Sequence, residues 1–194
     1  MDLARLRGAV TAQGGETSDF DLAPDVRLPE GRKLRPAAVL IAVSDLDQGG
    51  RLWLTKRSSK LKHHPGQIAF PGGKLDPSDT TPQAAALREA HEEIGLPPRA
   101  VNILGTLPPH ETVSAFRVIP VLAQIIQPFD AIPEEGEVEE VFTVPLPHVL
   151  NPDNYIIERR RWRGQWRQFY TVPYGPYYIW GATARMLRAL ADRL

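Results

Sequence analysis

The chain has 194 residues, and its 23 basic and 23 acidic side chains leave no formal net charge at pH 7. That length suits one globular domain with a substantial core. The neutral balance argues against a partner held mainly by polyanion electrostatics, such as nucleic acid. The sequence contains no cysteine, which excludes disulfides, thiolate nucleophiles and cysteine-bound metals. Any metal must therefore be held by oxygen or imidazole ligands.

The domain organisation follows from where regular hydrophobic patterning begins. Residues 1–35 predict an N-terminal helix and a polar arm that pack on the main domain, and residues 36–194 predict that domain. The first residues mix charges with short apolar stretches, and no apolar run is long enough to cross a bilayer. The sequence therefore predicts a soluble cytoplasmic protein with no membrane partner.

The pattern of elements predicts a mixed α/β (α+β) fold, in which strands surround one central helix and a second helix closes the chain. Residues 2–12 have helical spacing, whereas residues 13–33 are polar and predict a surface loop. The central helix is predicted from Pro82 to about Ile94, with Gly95 as its C-terminal stop. The closing helix is predicted over 179–194. Strands are predicted at 37–43 (buried on both faces), 51–55, 67–70, 101–107, 117–126 and 138–144, with a hairpin turn at 162–166.

The central helix carries three carboxylates, Glu89, Glu92 and Glu93, in one sector of its surface. Neighbouring like charges destabilise a helix, and the helix dipole disfavours anions near the C-terminal end. A divalent cation bound by these oxygens would remove both penalties, and Mg²⁺ or Mn²⁺ suits such ligands. For an isolated cluster, a solvated acidic surface is the alternative. The residues before the helix favour the metal site.

A glycine pair, Gly72 and Gly73, ends the predicted strand upstream of this helix. Glycine permits close backbone approach to a ligand and leaves a carbonyl oxygen free to face a metal. The glycine loop, the helix that Pro82 opens and the Arg-Glu-x-x-Glu-Glu-x-Gly ending together resemble the Nudix box of the Nudix hydrolases. The resemblance implies a mixed β-sheet between helices, a loop–helix–loop that binds a divalent cation, and hydrolysis of a nucleoside diphosphate linked to another group. The matching residues are Gly73, Arg88, Glu89, Glu92, Glu93, Gly95 and Leu96.

The resemblance also implies roles for individual residues of the box. Glu93 and Glu89 are the first-choice metal ligands, Glu92 completes the set, and the Gly73 carbonyl is a further candidate ligand. One of these carboxylates, or one from another loop, would orient or deprotonate the attacking water. Arg88 is expected to brace the helix through an ion pair and not to contact the substrate.

The loop before the helix departs from the common pattern. Its acidic residue is Asp79 instead of glutamate, and the interval from Asp79 to Arg88 is one residue longer than the commonest spacing. Pairing with Arg88 is the role expected for this aspartate.

A longer motif before the box resembles that of the coenzyme A pyrophosphatases, a branch of the same family in which the longer loop with aspartate also occurs. The motif runs from Leu54-Thr55-x-Arg57-Ser58 through His64 and Gly66-Gln67 to Phe70-Pro71-Gly72-Gly73, and segments 118–121 and 179–185 are also similar. This resemblance implies hydrolysis of coenzyme A to 3′,5′-ADP and 4′-phosphopantetheine. The alternatives are a Nudix activity on ADP-ribose, a dinucleotide or a nucleoside triphosphate, a nucleotide-binding Nudix module without catalysis, and a purely structural domain.

Two basic segments are candidates for binding the anionic substrate, because phosphates need cationic or backbone donors. The predicted substrate-binding residues are Arg57, Lys60, His64, Gly72 and Gly73. His64 is expected to act as a hydrogen-bonding residue and not as a metal ligand, since the acidic helix already supplies hard ligands. The second segment, 159–167, contains five arginines. It is either a phosphate contact or, as the sequence favours, a solvated strand and turn.

A second acidic segment occupies residues 134–140. In many relatives of the resembled family a glutamate from a loop in this region acts as a base or an extra ligand. Glu137 is the best candidate by its position before Val138, although an acidic surface loop is equally compatible. The sequence leaves the acyl-chain preference, the preferred cation and the oligomeric state open, and a homodimer that uses the N-terminal arm is compatible with the resemblance.

Overall fold

The computed structural model describes residues 2–23, 26, 31–162 and 164–194. These residues contain four α-helices, which are α1 (Leu3–Thr11), α2 (Pro82–Ile94), α3 (Leu146–Val149) and α4 (Gly181–Ala191). They also contain eleven strands, which are β1 (Thr17–Ser18), β2 (Arg35–Ser44), β3 (Arg51–Arg57), β4 (Ile68–Ala69), β5 (Gly72–Lys74), β6 (Val101–Thr106), β7 (His110–Glu111), β8 (Phe116–Ile125), β9 (Val138–Pro145), β10 (Ile156–Trp162) and β11 (Gln165–Thr171). Part of the loop predicted at 13–33, and Arg163 in the predicted hairpin turn, lie outside the described residues.

Strands β1 to β9 form one mixed sheet around the parallel pair of β2 and β8. The principal order is β1-β7-β8-β2-β3-β4, with β5 beside β2, β6 beside β8 and β9 beside β3. Strands β10 and β11 form a separate antiparallel hairpin, which agrees with the predicted turn. Within the described residues, no helix combines the length and the apolar character needed to cross a membrane.

The core lies on both faces of the central strand β2. Alternate side chains of a strand point to opposite faces, so Leu40 packs in one cluster with Ala90 of α2, while Ile41 packs in another with Leu6 of α1 and Leu187 of α4. Burial on both faces confirms the prediction for residues 37–43. A mixed sheet between helices confirms the predicted fold class.

Helix α2 begins and ends where the sequence predicts. The Thr81 hydroxyl accepts a hydrogen bond from the Ala84 N–H, and Pro82 occupies the first turn, where a missing N–H does no harm. Gly95 ends the helix with a left-handed φ of 71°. The buried face contains four apolar residues and one carboxylate: Ala85, Ala86, Ala90, Ile94 and Glu93.

Several elements differ from the prediction, and β7 and α3 were not predicted at all. Strand pairing resumes at Gly72–Lys74, which the sequence assigns to a loop, because Gly72 lies close enough to pair with Val39 of β2. Thr17 and Ser18, predicted as loop, pair in parallel with β7. Helix α4 begins at Gly181 and not at residue 179, because Trp180 is extended and forms its N-cap.

Candidate active site

The acidic face of α2 lies directly against the glycine loop between β4 and α2. The Gly72 N–H donates a hydrogen bond of 3.0 Å to Oε2 of Glu93. A Cβ atom on Gly73 would lie 2.6 Å from the carboxyl atoms of Glu89. The absence of a side chain at Gly73 therefore lets the backbone and the Glu89 carboxylate approach each other, as the sequence argument expects, whereas a Cβ on Gly72 would meet the backbone of β2.

The three carboxylates of α2 occupy three different environments. Glu93 is only 5% exposed, Glu89 is half-buried, and the side chain of Glu92 is 56% exposed. Burial raises the pKa of Glu93 to about 8, against the hydrogen bond from Gly72, and the charge of Glu89 adds to the shift. Burial also raises the pKa of Glu89, although Arg88 opposes it. Negative charge is thus costly here without a cation.

Arg88 forms the brace that the sequence predicts. Its Nε and Nη2 atoms donate to the two carboxylate oxygens of Asp79 at 3.2 and 3.0 Å. These hydrogen bonds lower the pKa of Asp79, whose carboxylate also accepts the Asp76 N–H. Aspartate is one methylene shorter than glutamate, and the longer loop still brings it to the guanidinium. The same arginine contacts Glu89 at 3.0 Å and Glu92 at 2.9 Å.

Glu137 and Arg57 lie close enough to the buried carboxylates to shift their titration. The negative charge of Glu137 raises the pKa of both Glu89 and Glu93, whereas the positive charge of Arg57 lowers that of Glu93. Glu137 is exposed, and its carbonyl oxygen accepts a 2.8 Å hydrogen bond from the Ser58 N–H just beyond β3. The structure therefore places Glu137 and Arg57 near the acidic face of α2. Their roles stay predictions.

His64 and Lys60 lie on the loop between β3 and β4. His64 has a left-handed φ of 53°. Its pKa is lowered by burial, then by the charges of Arg57 and His63, while Asp19 opposes the shift. The side chain of Lys60 is exposed, and its N–H donates to the hydroxyl of Ser58. Binding of substrate by these two residues stays a prediction.

A buried histidine that the sequence analysis does not single out fixes the N-terminal arm beside this loop. His110 is fully buried; its Nδ1 lies 2.9 Å from the Thr17 hydroxyl and its Nε2 lies 3.1 Å from Oδ1 of Asp19. The other oxygen of Asp19 accepts the Val113 N–H at 2.8 Å. Asp19 and His110 are 91 residues apart, so no local pattern signals their contact. These contacts fix residues 17–19 of the arm to the sheet instead of leaving them free on the surface.

We expect His110→Ala to destabilise the chain by about 2–4 kcal/mol, because it opens a cavity and leaves polar groups of the arm without their buried partner. Urea unfolding measures the loss. His91→Ala is the matched control, since His91 is exposed on α2 and its removal leaves no cavity. Equal losses in the two variants would show that the buried contacts of His110 contribute nothing special.

The donor set suits a hard divalent cation. Glu89, Glu92, Glu93 and the Gly73 carbonyl offer oxygen ligands, and a carboxyl whose pKa is raised by burial, as that of Glu93 is, is typical of functional sites. In the part of the chain that the structure describes, no three acidic or imidazole side chains already converge as a metal cluster, and Arg88 contacts both Glu89 and Glu92. The metal ligands therefore stay a prediction.

Comparison with known proteins identifies the family. The NUDIX domain model matches residues 33–165. Two bacterial relatives, each named "Uncharacterized Nudix hydrolase NudL", are similar: that of Enterobacter sp. (strain 638) is 44% identical over 81% of both chains, and that of Salmonella paratyphi B is 41% identical over 90% of both. The solved Nudix hydrolase RenU of M. smegmatis superposes with a TM-score of 0.50 at 27% identity, over 61% of this chain and 73% of that one.

The chain therefore belongs to the Nudix hydrolase family. Its fold is the mixed sheet and helices of that family. Membership makes it a hydrolase that acts on pyrophosphate bonds of small nucleotide-derived substrates, and Nudix hydrolases generally use divalent metals. The glycine loop and α2, with their buried carboxylate, lie within the matched residues.

Proposed function

We propose that the chain hydrolyses the pyrophosphate of coenzyme A or its thioesters in a reaction that depends on Mg²⁺ or Mn²⁺. The products are 3′,5′-ADP and 4′-phosphopantetheine or its acyl form. One observation carries the proposal: the loop with the coenzyme A-type motif borders the acidic face of α2. At one end of the loop the charge of Arg57 acts on Glu93, and at the other end the Gly72 N–H binds the same carboxylate.

The chemistry requires water in line with the scissile bond, neutralisation of the charge on the non-bridging phosphate oxygens and an acceptor for a proton. Glu89, Glu92, Glu93 and the Gly73 carbonyl would hold the cation, with Arg88 and Asp79 bracing the helix behind them. When bound, such a cation neutralises phosphate charge and lowers the pKa of water. It would also keep Glu93 ionised, although burial alone raises the pKa of that side chain to about 8.

Substrate contacts are assigned to residues at the end of β3 and on the loop that follows it. Arg57 offers a planar set of donors that suits phosphate oxygens, and Lys60 and His64 follow it on the loop between β3 and β4. Glu137 is the proposed acceptor of the proton from water, because it is exposed and its charge reaches both Glu89 and Glu93.

A substrate panel with Mg²⁺ and Mn²⁺ tests the proposal, with the products identified by mass spectrometry. We expect phosphopantetheine from coenzyme A and no product from ADP-ribose, because the basic loop suits a substrate with more phosphate charge. Acetyl-coenzyme A and longer thioesters define the acyl preference, and chelation of the metal is the control. Turnover of ADP-ribose or a dinucleotide in preference to coenzyme A would replace the proposed substrate. Tight nucleotide binding without any hydrolysis would identify a non-catalytic module.

The cytoplasmic location, a homodimer and the domain boundary at residue 35 stay predictions.

A further inference from the structure

The β10–β11 hairpin concentrates positive charge outside the candidate active site. Arg159, Arg160 and Arg161 lie on β10, and the strand register places Arg160 directly opposite Arg167 of β11. Among the described residues, no ion pair joins Arg159, Arg160 or Arg161 to an acidic side chain. This face of the hairpin thus presents two guanidinium groups, one from each strand.

The face that contains Arg160 is built against aromatic side chains. The guanidinium of Arg160 lies 5.8 Å from the ring centre of Trp180. Trp180 packs edge-on against Phe169 at 5.3 Å. Arg159 points to the opposite face, because neighbouring residues of a strand alternate, and stacks over the exposed ring of Trp166 at 5.1 Å. The two arginines thus have equal charge and different surroundings.

The N-terminal arm connects this face to the catalytic loop. The guanidinium of Arg167 lies 5.5 Å from the ring centre of Phe20. Phe20 follows Asp19, whose charge raises the pKa of His64. The arginine face and the basic loop therefore border the same stretch of the arm.

A second set of contacts connects the two regions on another side. On the Arg160 face, Glu158 accepts a 2.8 Å hydrogen bond from the Tyr178 hydroxyl. The adjacent Tyr177 donates to Glu140 at 2.5 Å, and Glu140 pairs in register with Lys56 of β3. These contacts therefore end on β3, one residue before Arg57.

We propose that Arg160, with Arg167 across the hairpin and Trp180 beside it, binds a phosphomonoester of the substrate that is distant from the scissile pyrophosphate. The inference rests on the proposed function, in which coenzyme A supplies such a group as its ribose 3′-phosphate. Guanidinium groups bind phosphate through paired, charge-assisted hydrogen bonds.

The test compares coenzyme A with 3′-dephospho-coenzyme A, which differ by this one phosphate. We expect Arg160→Gln to lower kcat/KM for coenzyme A by about tenfold, as for the loss of a hydrogen bond to a charged group, and to leave that for the dephospho form within about twofold. Arg159→Gln is the matched control, because it removes the same charge from the same strand on the opposite face. It should leave both substrates within about twofold of the wild type. Thermal unfolding of each variant checks the fold, and Arg160→Lys should retain part of the discrimination.

Three results would each overturn the inference. They are an equal loss of kcat/KM on both substrates in Arg160→Gln, equal effects of Arg160→Gln and Arg159→Gln, and no loss of kcat/KM for coenzyme A in Arg160→Gln. Calorimetric binding of adenosine 3′,5′-bisphosphate and of AMP distinguishes failure of the phosphate site from failure of the proposed function. If neither form of coenzyme A is hydrolysed, the proposed function fails. A tenfold preference for the bisphosphate that Arg160→Gln removes and Arg159→Gln retains would still support the phosphate site. Equal binding of the two nucleotides to the wild type would disprove it.

Discussion

Replacing Glu93 with glutamine is expected to abolish turnover while leaving the fold intact. Glu93 is the most buried of the three carboxylates of α2, and it receives a hydrogen bond from the Gly72 N–H. Glutamine keeps the size of the side chain and an oxygen for that hydrogen bond, but it removes the charge proposed to hold the cation. We expect turnover to fall by about a thousandfold or more. Near-full activity with Mg²⁺ or Mn²⁺ would show that Glu93 is not a metal ligand.

The same variant should be more stable than the wild type in metal-free buffer, with a difference that depends on pH. Burial raises the pKa of Glu93 from 4.5 to about 8 in the folded chain, so the folded state binds more protons than the unfolded state between these values. Wild-type stability therefore falls as pH rises from about 4.5 to 8. The variant lacks this loss, and its advantage should grow over that range to a few degrees in Tm.

Thermal unfolding at pH 5 and at pH 8 measures this difference, and Glu135→Gln is the control, because Glu135 is exposed and its charge is solvated. Added Mn²⁺ should raise the Tm of the wild type and of the control by preferential binding to the folded state. It should not raise that of Glu93→Gln. A Tm advantage independent of pH would mean that Glu93 carries its charge without penalty in the folded chain.

The parts of the fold that sequence predicts well are those fixed by neighbouring residues. Helix α2 begins after a threonine that caps it and ends at a glycine with left-handed φ, and both signals lie within one turn of the boundary. The Arg88–Asp79 ion pair joins residues only nine positions apart, and its presence follows from the loop–helix pattern. Local rules are sufficient for such elements.

The parts that sequence did not predict depend on distant contacts. The strand at Thr17 depends on the contact between His110 and Asp19, which are 91 residues apart. The polar composition of the arm, taken by itself, predicts a loop there. The helical spacing places Glu89, Glu92 and Glu93 in one sector, but it does not distinguish a buried carboxylate from an exposed one. Glu93 differs from the other two because the sheet and the glycine loop cover it, and this burial also raises its pKa.

Replacing each of the two glycines of the loop with alanine is expected to affect a different property, stability for Gly72 and activity for Gly73. Gly72 has a φ of 149°, and a Cβ there would lie 2.4 Å from the carbonyl oxygen of Ala38 and 2.6 Å from Cα of Val39. Both atoms belong to the backbone of the central strand β2, which cannot move without disturbing the core on both faces. We expect Gly72→Ala to destabilise the chain by about 3 kcal/mol or more.

At Gly73 the added atom would meet the end of a flexible side chain. Its Cβ would lie 2.6 Å from the carboxylate of Glu89, which can rotate away at little cost in folding energy. That rotation would remove a proposed ligand from beside Glu93, and displacement of a reacting group by about 1 Å can lower a rate by about a hundredfold. We therefore expect Gly73→Ala to lose activity by about a hundredfold and to change the free energy of unfolding by less than about 1 kcal/mol.

Urea unfolding and turnover of coenzyme A, measured on both variants, separate the two effects. Gly8→Ala in α1 is the control, because a Cβ there meets nothing within 4 Å and alanine favours a helix; it should be fully active and as stable as the wild type or slightly more so. Full activity of Gly73→Ala would show that the position of Glu89 does not limit the reaction. Wild-type stability of Gly72→Ala would mean that β5 can leave β2 without disturbing the core. Loss of stability in Gly72→Ala and loss of activity alone in Gly73→Ala would together show that the sheet requires the first glycine and the reaction requires the second.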